Sequence, residues 1–188
     1  MVLAAVIAAL YIVLTIAVAP MAYGPVQFRL SEILTILPAL TPAAIPGLGI
    51  GVLLANLLNP GGSLGLVDMI GGTLATLIGA VLTRMIAKRV SLDETSDLQL
   101  NRRDLLRRPG LYLMTLPPIL TNALIVGFYL TILLVDPAER QAGVFLFNML
   151  TVGLGEVVMA GAGGVLLYLA AAPRMQQAYR RQLRKANV

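Results

Sequence analysis

The stretch YGPVQFRLSEILTILPALTPAAIPGLG, Tyr23 to Gly49, sets Arg29 and Glu32 between two strongly apolar runs and then interrupts the apolar sequence with Pro38, Pro42 and Pro46. Charges beside or inside a membrane-spanning segment are costly unless paired or wetted. Three prolines within nine residues forbid one long helix here. A short, broken helix with polar groups at its mouth is a common way to build a ligand site in a membrane protein. The segment therefore points to a small-molecule site within a membrane bundle.

Composition supports the membrane setting. Hydrophobic residues make up 58% and charged residues 12% of the chain, and mean hydropathy is +0.86; ordinary soluble domains carry about 25% charged residues. Cysteine and histidine are both absent. That removes the usual thiolate and imidazole metal sites and histidine-based catalysis. No GxxxxGK[ST], GxSxG or HExxH motif occurs, so P-loop nucleotide hydrolysis and the common hydrolase chemistries are not encoded here.

Six apolar segments are expected in a single membrane domain over residues 1–188: Val2–Ala22, Ser31–Leu40, Ala43–Leu58, Leu66–Ala87, Leu111–Val135 and Ala142–Ala171. The first lacks a basic start and holds about twenty apolar residues, enough to span, so it reads as a retained helix rather than a signal peptide. Segments two and three are short for a hydrocarbon core of ~30 Å and are expected to tilt, to share a turn at Thr41–Pro42, or to shelter inside the bundle. Merging them gives five spans; Pro42 and Pro46 flank a natural turn and favour six.

Charge sets the orientation. The linker of about residues 88–110, with Arg84 just before it, and the tail of about 173–188 hold 12 of the 14 basic residues; Arg29 and Arg140 are the others. The positive-inside rule places linker and tail in the cytoplasm, and with six spans the N-terminus joins them. The linker, Ser91–Asp104, mixes charge signs and is expected to contain a short surface helix. Nucleic-acid binding is excluded as a reading of the +5 net charge, because no aromatic residues interleave with the linker arginines.

The candidate chemistry lies elsewhere. Gln27, Arg29, Ser31 and Glu32, Asn56 and Asp68 collect toward the non-cytoplasmic side. Asn122 and Glu156 lie deeper, about 20 Å from the outer ends of their spans at 1.5 Å per residue. Each has a simpler alternative. Arg29 and Glu32, at i and i+3, suit mutual pairing. Ser31 suits an N-cap, and Asp68 suits the positive end of a helix. Asn122, following Pro117 and Pro118, suits the relief of carbonyls freed by a kink. For Glu156 the structural alternative is weakest, since an intramembrane acid is functional by default and Gly153 and Gly155 flank it. Two small-residue stripes concern packing: Ala4, Ala5, Ala8 and Ala9 on segment one, and Gly71, Ala75 and Gly79 on segment four. The second suits internal packing; the first suits packing or docking to another membrane protein.

The ordered series YGPVQFRLSEILTILPALTPAAIPGLGIG, LLANLL, LATLIGAVLT, PPILTNALIVG and VGLGE, spread over about Ala4 to Leu169, resembles the QueT family. These are substrate-binding membrane subunits (S components) of energy-coupling-factor (ECF) transporters. The resemblance implies an all-α, six-transmembrane-helix S-component bundle in a bacterial plasma membrane, with both termini cytoplasmic. It implies a non-enzymatic subunit without cofactor or metal, partnered by a membrane scaffold and two ATPase subunits. The implied ligand is a queuosine precursor, a 7-deazaguanine base such as 7-aminomethyl-7-deazaguanine, and the alanines of segment one look like the surface that docks on the scaffold. The candidate residues suit such a ligand. Glu32, Asp68 or Glu156 can accept two adjacent N–H donors, Asn56, Gln27 or Asn122 can both donate and accept, and Phe28 or Tyr23 can stack on the ring; Arg29 can balance the acids. An S component for another vitamin-like solute and a stand-alone ion-coupled carrier remain open. An intramembrane enzyme would need clustered acids or histidines at the cytoplasmic interface, and a purely structural subunit would not need this polar set.

Overall fold

The computed structural model describes residues 1–22, 28–59, 65–93, 95 and 102–186. Every regular element among them is helical, and the six apolar segments all appear. Three are long and apolar enough to cross a membrane: Leu66–Arg89, Pro109–Leu133 and Ala142–Gln182. Three are shorter: Val2–Ala17, Leu30–Ala39 and Ala44–Leu57. Large apolar side chains such as Leu10, Val13, Leu74, Ile78, Leu124 and Phe128 remain exposed on the outside, as expected for surfaces that meet lipid rather than water.

Segment one stops at Ala17 and resumes for one turn at Ala19–Ala22. Pro20 explains the break, because it cannot donate to the carbonyl of Ile16. Segment two differs most from an ordinary helix. It is a ten-residue 3₁₀ helix, Leu30–Ala39, with almost every side chain buried; 3₁₀ runs longer than about four residues are uncommon. At ~2.0 Å rise per residue it reaches about 20 Å, where an α-helix of that length reaches about 15 Å. Three residues per turn also give it three straight edges. Leu34 and Leu37 pack in one cluster with Ile7, Tyr11, Leu48 and Val52 from segments one and three. Ile36 and Ala39 join a second cluster with Leu111, Met114, Tyr168 and Ala172 from segments five and six. The third edge carries Arg29, Glu32, Thr35 and Pro38. Segment two is thus the centrepost of the bundle, and its polar edge is built into the interior.

Segments five and six each contain a π-helical stretch, Asn122–Val126 and Val157–Gly163. Such stretches are rare and cluster at functional sites. The Asn122 stretch packs against the segment-six helix, and the segment-six stretch packs against segment two. At the prolines of segment five, the Met114 carbonyl, which Pro118 cannot serve, accepts from the Thr83 hydroxyl at 3.0 Å. Asn122 is thereby left for another partner, which corrects the simpler reading of that residue. The Gly71–Ala75–Gly79 stripe packs internally: a Cβ at Gly71 would meet the Tyr129 ring at 2.7 Å, and one at Gly79 would meet Thr121 at 2.9 Å.

The tail and linker also differ from expectation. Segment six continues without a break through Pro173 to Ala186; its Gln, Arg and Ala residues are good helix formers, so the basic tail is an extension of the last helix. The linker is not simply a surface element. Its short helix, Arg102–Leu106, buries Leu105, and Leu92 has no exposed surface. Ser91 turns the chain with φ 54°. The following carbonyls are then held from segment six: the Tyr168 hydroxyl donates to Leu92 at 2.6 Å and Gln176 Nε2 donates to Asp93 at 3.0 Å. Arg140, the basic residue between segments five and six, caps a helix end. Its guanidinium donates to the carbonyls of Ile132 at 2.6 Å and Val135 at 3.0 Å, which suits the negative end of segment five.

Candidate functional site

The polar edge of segment two meets side chains from segments one and four, and through Asp68 it is linked to segments three and five. Arg29 stands at its N-cap, 5% exposed, with Nη2 3.7 Å from Asp68 Oδ2 and Nε donating to the Ala22 carbonyl at 3.3 Å. Asp68 comes from the first turn of segment four. Its other oxygen accepts from the Tyr129 hydroxyl at 2.5 Å, and its main-chain carbonyl accepts from Asn56 Nδ2 at 2.9 Å. Arg29, Asn56, Asp68 and Tyr129 thus form one cluster drawn from segments two, three, four and five. Three residues on, Glu32 accepts a hydrogen bond from Tyr11 of segment one. Beside it the Thr15 hydroxyl donates to the Tyr11 carbonyl at 2.8 Å, and its oxygen accepts from the Ser31 hydroxyl at 2.7 Å. Deeper in the bundle, Asn122 Nδ2 donates to Glu156 Oε1 at 3.0 Å, joining segments five and six at the two π-helical stretches.

A common pattern runs through the acids. Glu32, Asp68 and Glu156 are each at most 4% exposed, and each is held at one oxygen by a single neutral donor: Tyr11, Tyr129 and Asn122 respectively. Asp68 turns its second oxygen to Arg29. Among the described residues, Glu32 Oε2, Glu156 Oε2 and Asn56 Oδ1 are buried and have no hydrogen-bond partner. Each of these atoms is an acceptor. A buried polar atom left so costs about 1–3 kcal/mol, and an N–H or O–H donor would relieve it. Three acids and one guanidinium are buried in this region.

The sequence of residues 1–172 matches the profile of the QueT transporter family. The chain belongs to the QueT transporter family. One relative, the queuosine precursor transporter QueT of Lactococcus lactis subsp. cremoris (strain MG1363), is 35% identical over 100 residues. That alignment covers 52% of this chain and 57% of the relative, so the chain spans little more than half the length of the relative it matches. No solved structure matches the chain. Membership of the QueT family makes the chain a membrane transport protein rather than an enzyme.

The simpler readings of several candidate residues are corrected by this geometry. Arg29 makes its close carboxylate approach to Asp68, 39 positions away, and Glu32 bonds Tyr11. Ser31 is no helix cap; its hydroxyl pairs with the Thr15 hydroxyl. Asp68 does sit in a first helical turn, but its carboxylate is committed to Tyr129 and Arg29. Phe28 is half-buried, its N–H bonded to the Met21 carbonyl. Gln27 and Tyr23 lie outside the described residues. Tyr11, Thr15 and Tyr129 were not singled out from sequence. A signal existed for the first two: they are the only side chains with a polar tip in Val2–Ala17, and they stand at i and i+4 on one face.

Proposed function

We propose that the chain is the solute-binding subunit, or S component, of an ECF-type importer, and that its ligand is a queuosine precursor of the 7-deazaguanine class such as 7-aminomethyl-7-deazaguanine. The observation that carries this reading is the trio of buried acceptor atoms without a hydrogen-bond partner, Glu32 Oε2, Asn56 Oδ1 and Glu156 Oε2. The pyrimidine edge of a guanine-like base offers adjacent N–H donors, which a carboxylate takes as a fork. A protonated aminomethyl group supplies further donors. The printed name of the Lactococcus relative supports the same ligand class. The test is calorimetric titration of the purified chain in lipid nanodiscs with 7-aminomethyl-7-deazaguanine, with riboflavin and thiamine as comparison solutes. Saturable binding of the deazapurine alone supports the reading; binding of a comparison solute in its place, or of none, overturns it.

The six-span orientation belongs to the same proposal. Reporter fusions after Ser96 and at Val188 are expected to report cytoplasm, by the charge asymmetry of linker and tail. An outside report at either point removes the orientation.

ATP hydrolysis would fall to partner subunits, since the chain carries no P-loop. The surface proposed to meet the scaffold is the alanine face of segment one. Ala8 is buried against segment three and Ala4 is half-buried, whereas Ala5 and Ala9 are exposed. The four border a shallow outer groove of about 650 Å³, which Ile12, Pro46, Ile50 and Leu54 complete. Small residues let another helix approach closely. Replacing Ala5 and Ala9 with leucine is expected to lower uptake in cells at least tenfold while ligand binding to the isolated chain stays within twofold. Lost binding, or unchanged uptake, rules out a docking role for this face.

A further inference from the structure

Segment one is more than an outer face. Its inner side carries Tyr11, which has no exposed surface and whose hydroxyl donates to Glu32 Oε1. The side chain belongs to one buried apolar cluster with Ile7, Leu34, Leu37, Leu48 and Val52. The backbone of segment three passes so close at Gly51 that a Cβ there would stand 2.7 Å from Tyr11 Cβ. One turn on, Thr15 ties the same helix to Ser31, the residue before Glu32. The hydroxyl of Tyr11 therefore cannot wander. Held at Oε1, the Glu32 carboxyl has one way to present its remaining oxygen, and that oxygen is the one without a partner.

We infer that Tyr11 is the positioning residue for Glu32: it fixes the carboxyl so that Oε2 faces the ligand as a ready acceptor. The inference rests on the proposed substrate-binding role of Glu32. Tyr11 does not itself touch the ligand; it acts through the acid. Pre-setting an acceptor in its bound geometry removes the ordering cost of binding. Tyr129 holds Asp68 and Asn122 holds Glu156 in the same one-oxygen manner, but Asp68 is already turned to Arg29, so Tyr11 is the clearer instance of a donor whose only visible effect is to aim an oxygen.

Two measurements on the full chain in nanodiscs test this. Tyr11→Phe keeps the ring and removes the hydroxyl. It is expected to weaken binding of 7-aminomethyl-7-deazaguanine about tenfold, and the double variant with Glu32→Gln is expected to bind no more weakly than Glu32→Gln alone. Additive losses, or unchanged affinity in Tyr11→Phe, overturn the positioning role. The second measurement needs no ligand. Isotope-edited infrared spectra with carboxyl-labelled glutamate identify the Glu32 band as the one lost in Glu32→Gln; that band is expected to move in Tyr11→Phe. If it does not, Tyr11 does not hold Glu32. Should Tyr11→Phe fail to fold, the same bond is read from its other end, where the C–O band of ring-labelled tyrosine shifts in Glu32→Gln if the inference holds and stays put if it does not. Absence of deazapurine binding by the unsubstituted chain would remove the substrate reading, while the infrared result would still decide the role of Tyr11.

Discussion

Glu156→Gln is expected to weaken binding of 7-aminomethyl-7-deazaguanine by about 2–4 kcal/mol, or roughly thirty- to a thousandfold. The substitution keeps size and shape and exchanges one acceptor oxygen for an amide donor. The surroundings dictate which way the new side chain turns. Asn122 Nδ2 donates to Oε1, so the glutamine must offer its oxygen there or set two amide donors against each other. Its NH₂ then takes the place of Oε2, the atom now left without a partner, and faces the N–H edge of the ligand. A charge-assisted bond is lost and a donor is left buried against donors. Asn122→Ala is expected to cost less, about 1–2 kcal/mol, because it releases one neutral bond and frees the carboxyl without altering its chemistry. Calorimetry on folded variants decides. Binding like that of the unsubstituted chain would make Glu156 a structural acid and would move the site to Glu32 and Asp68.

Asp68→Ala is expected to cost about 3–5 kcal/mol of stability, the usual penalty for removing one member of a buried charge pair. The carboxylate faces Arg29, whose side chain is almost wholly enclosed, and accepts from the Tyr129 hydroxyl as well. Its removal leaves the guanidinium in a low-dielectric interior without that counter-charge. Adding Arg29→Met should recover part of the loss, because the penalty lies in the unbalanced charge rather than in the missing contact. Reversible denaturation in mixed micelles measures both. A loss below about 1 kcal/mol for Asp68→Ala, or strict additivity in the double variant, would show that the pair is solvated and contributes little.

The helical character of the bundle and the break in segment two were legible because each depends on local chemistry: apolar runs of spanning length, prolines that forbid a continuous helix, and charges that no lipid-facing surface tolerates. The 3₁₀ form of Leu30–Ala39 was not legible, since its register is chosen by the clusters on either side rather than by propensity. The partners of the polar residues were hidden for a similar reason. Arg29 and Glu32 stand one helical turn apart and invite each other on paper, yet Asp68 and Tyr11 reach them from elements 39 and 21 positions away. Tyrosines in apolar runs resemble packing residues, and only the fold shows that Tyr11 and Tyr129 deliver hydroxyls to buried acids. Leu92 and Asp93 looked like part of a solvated linker because their anchors, Tyr168 and Gln176, lie more than seventy residues on.

That anchorage has a mechanical consequence. The main chain just beyond Arg89 is fastened to segment six, so segment four is held at both ends: there, and at Asp68 by Arg29, Asn56 and Tyr129. Its 25 residues make a lever of about 38 Å at 1.5 Å per residue. A swing of only about 5° about the Arg89 tip carries the opposite tip through about 3 Å, the length of one hydrogen bond. Asp68 rides on that opposite tip. The contacts of Asp68 with Arg29, Asn56 and Tyr129 therefore require the tilt of segment four to be set to within a few degrees, and the anchorage near Tyr168 supplies the fixed point from which that tilt is set.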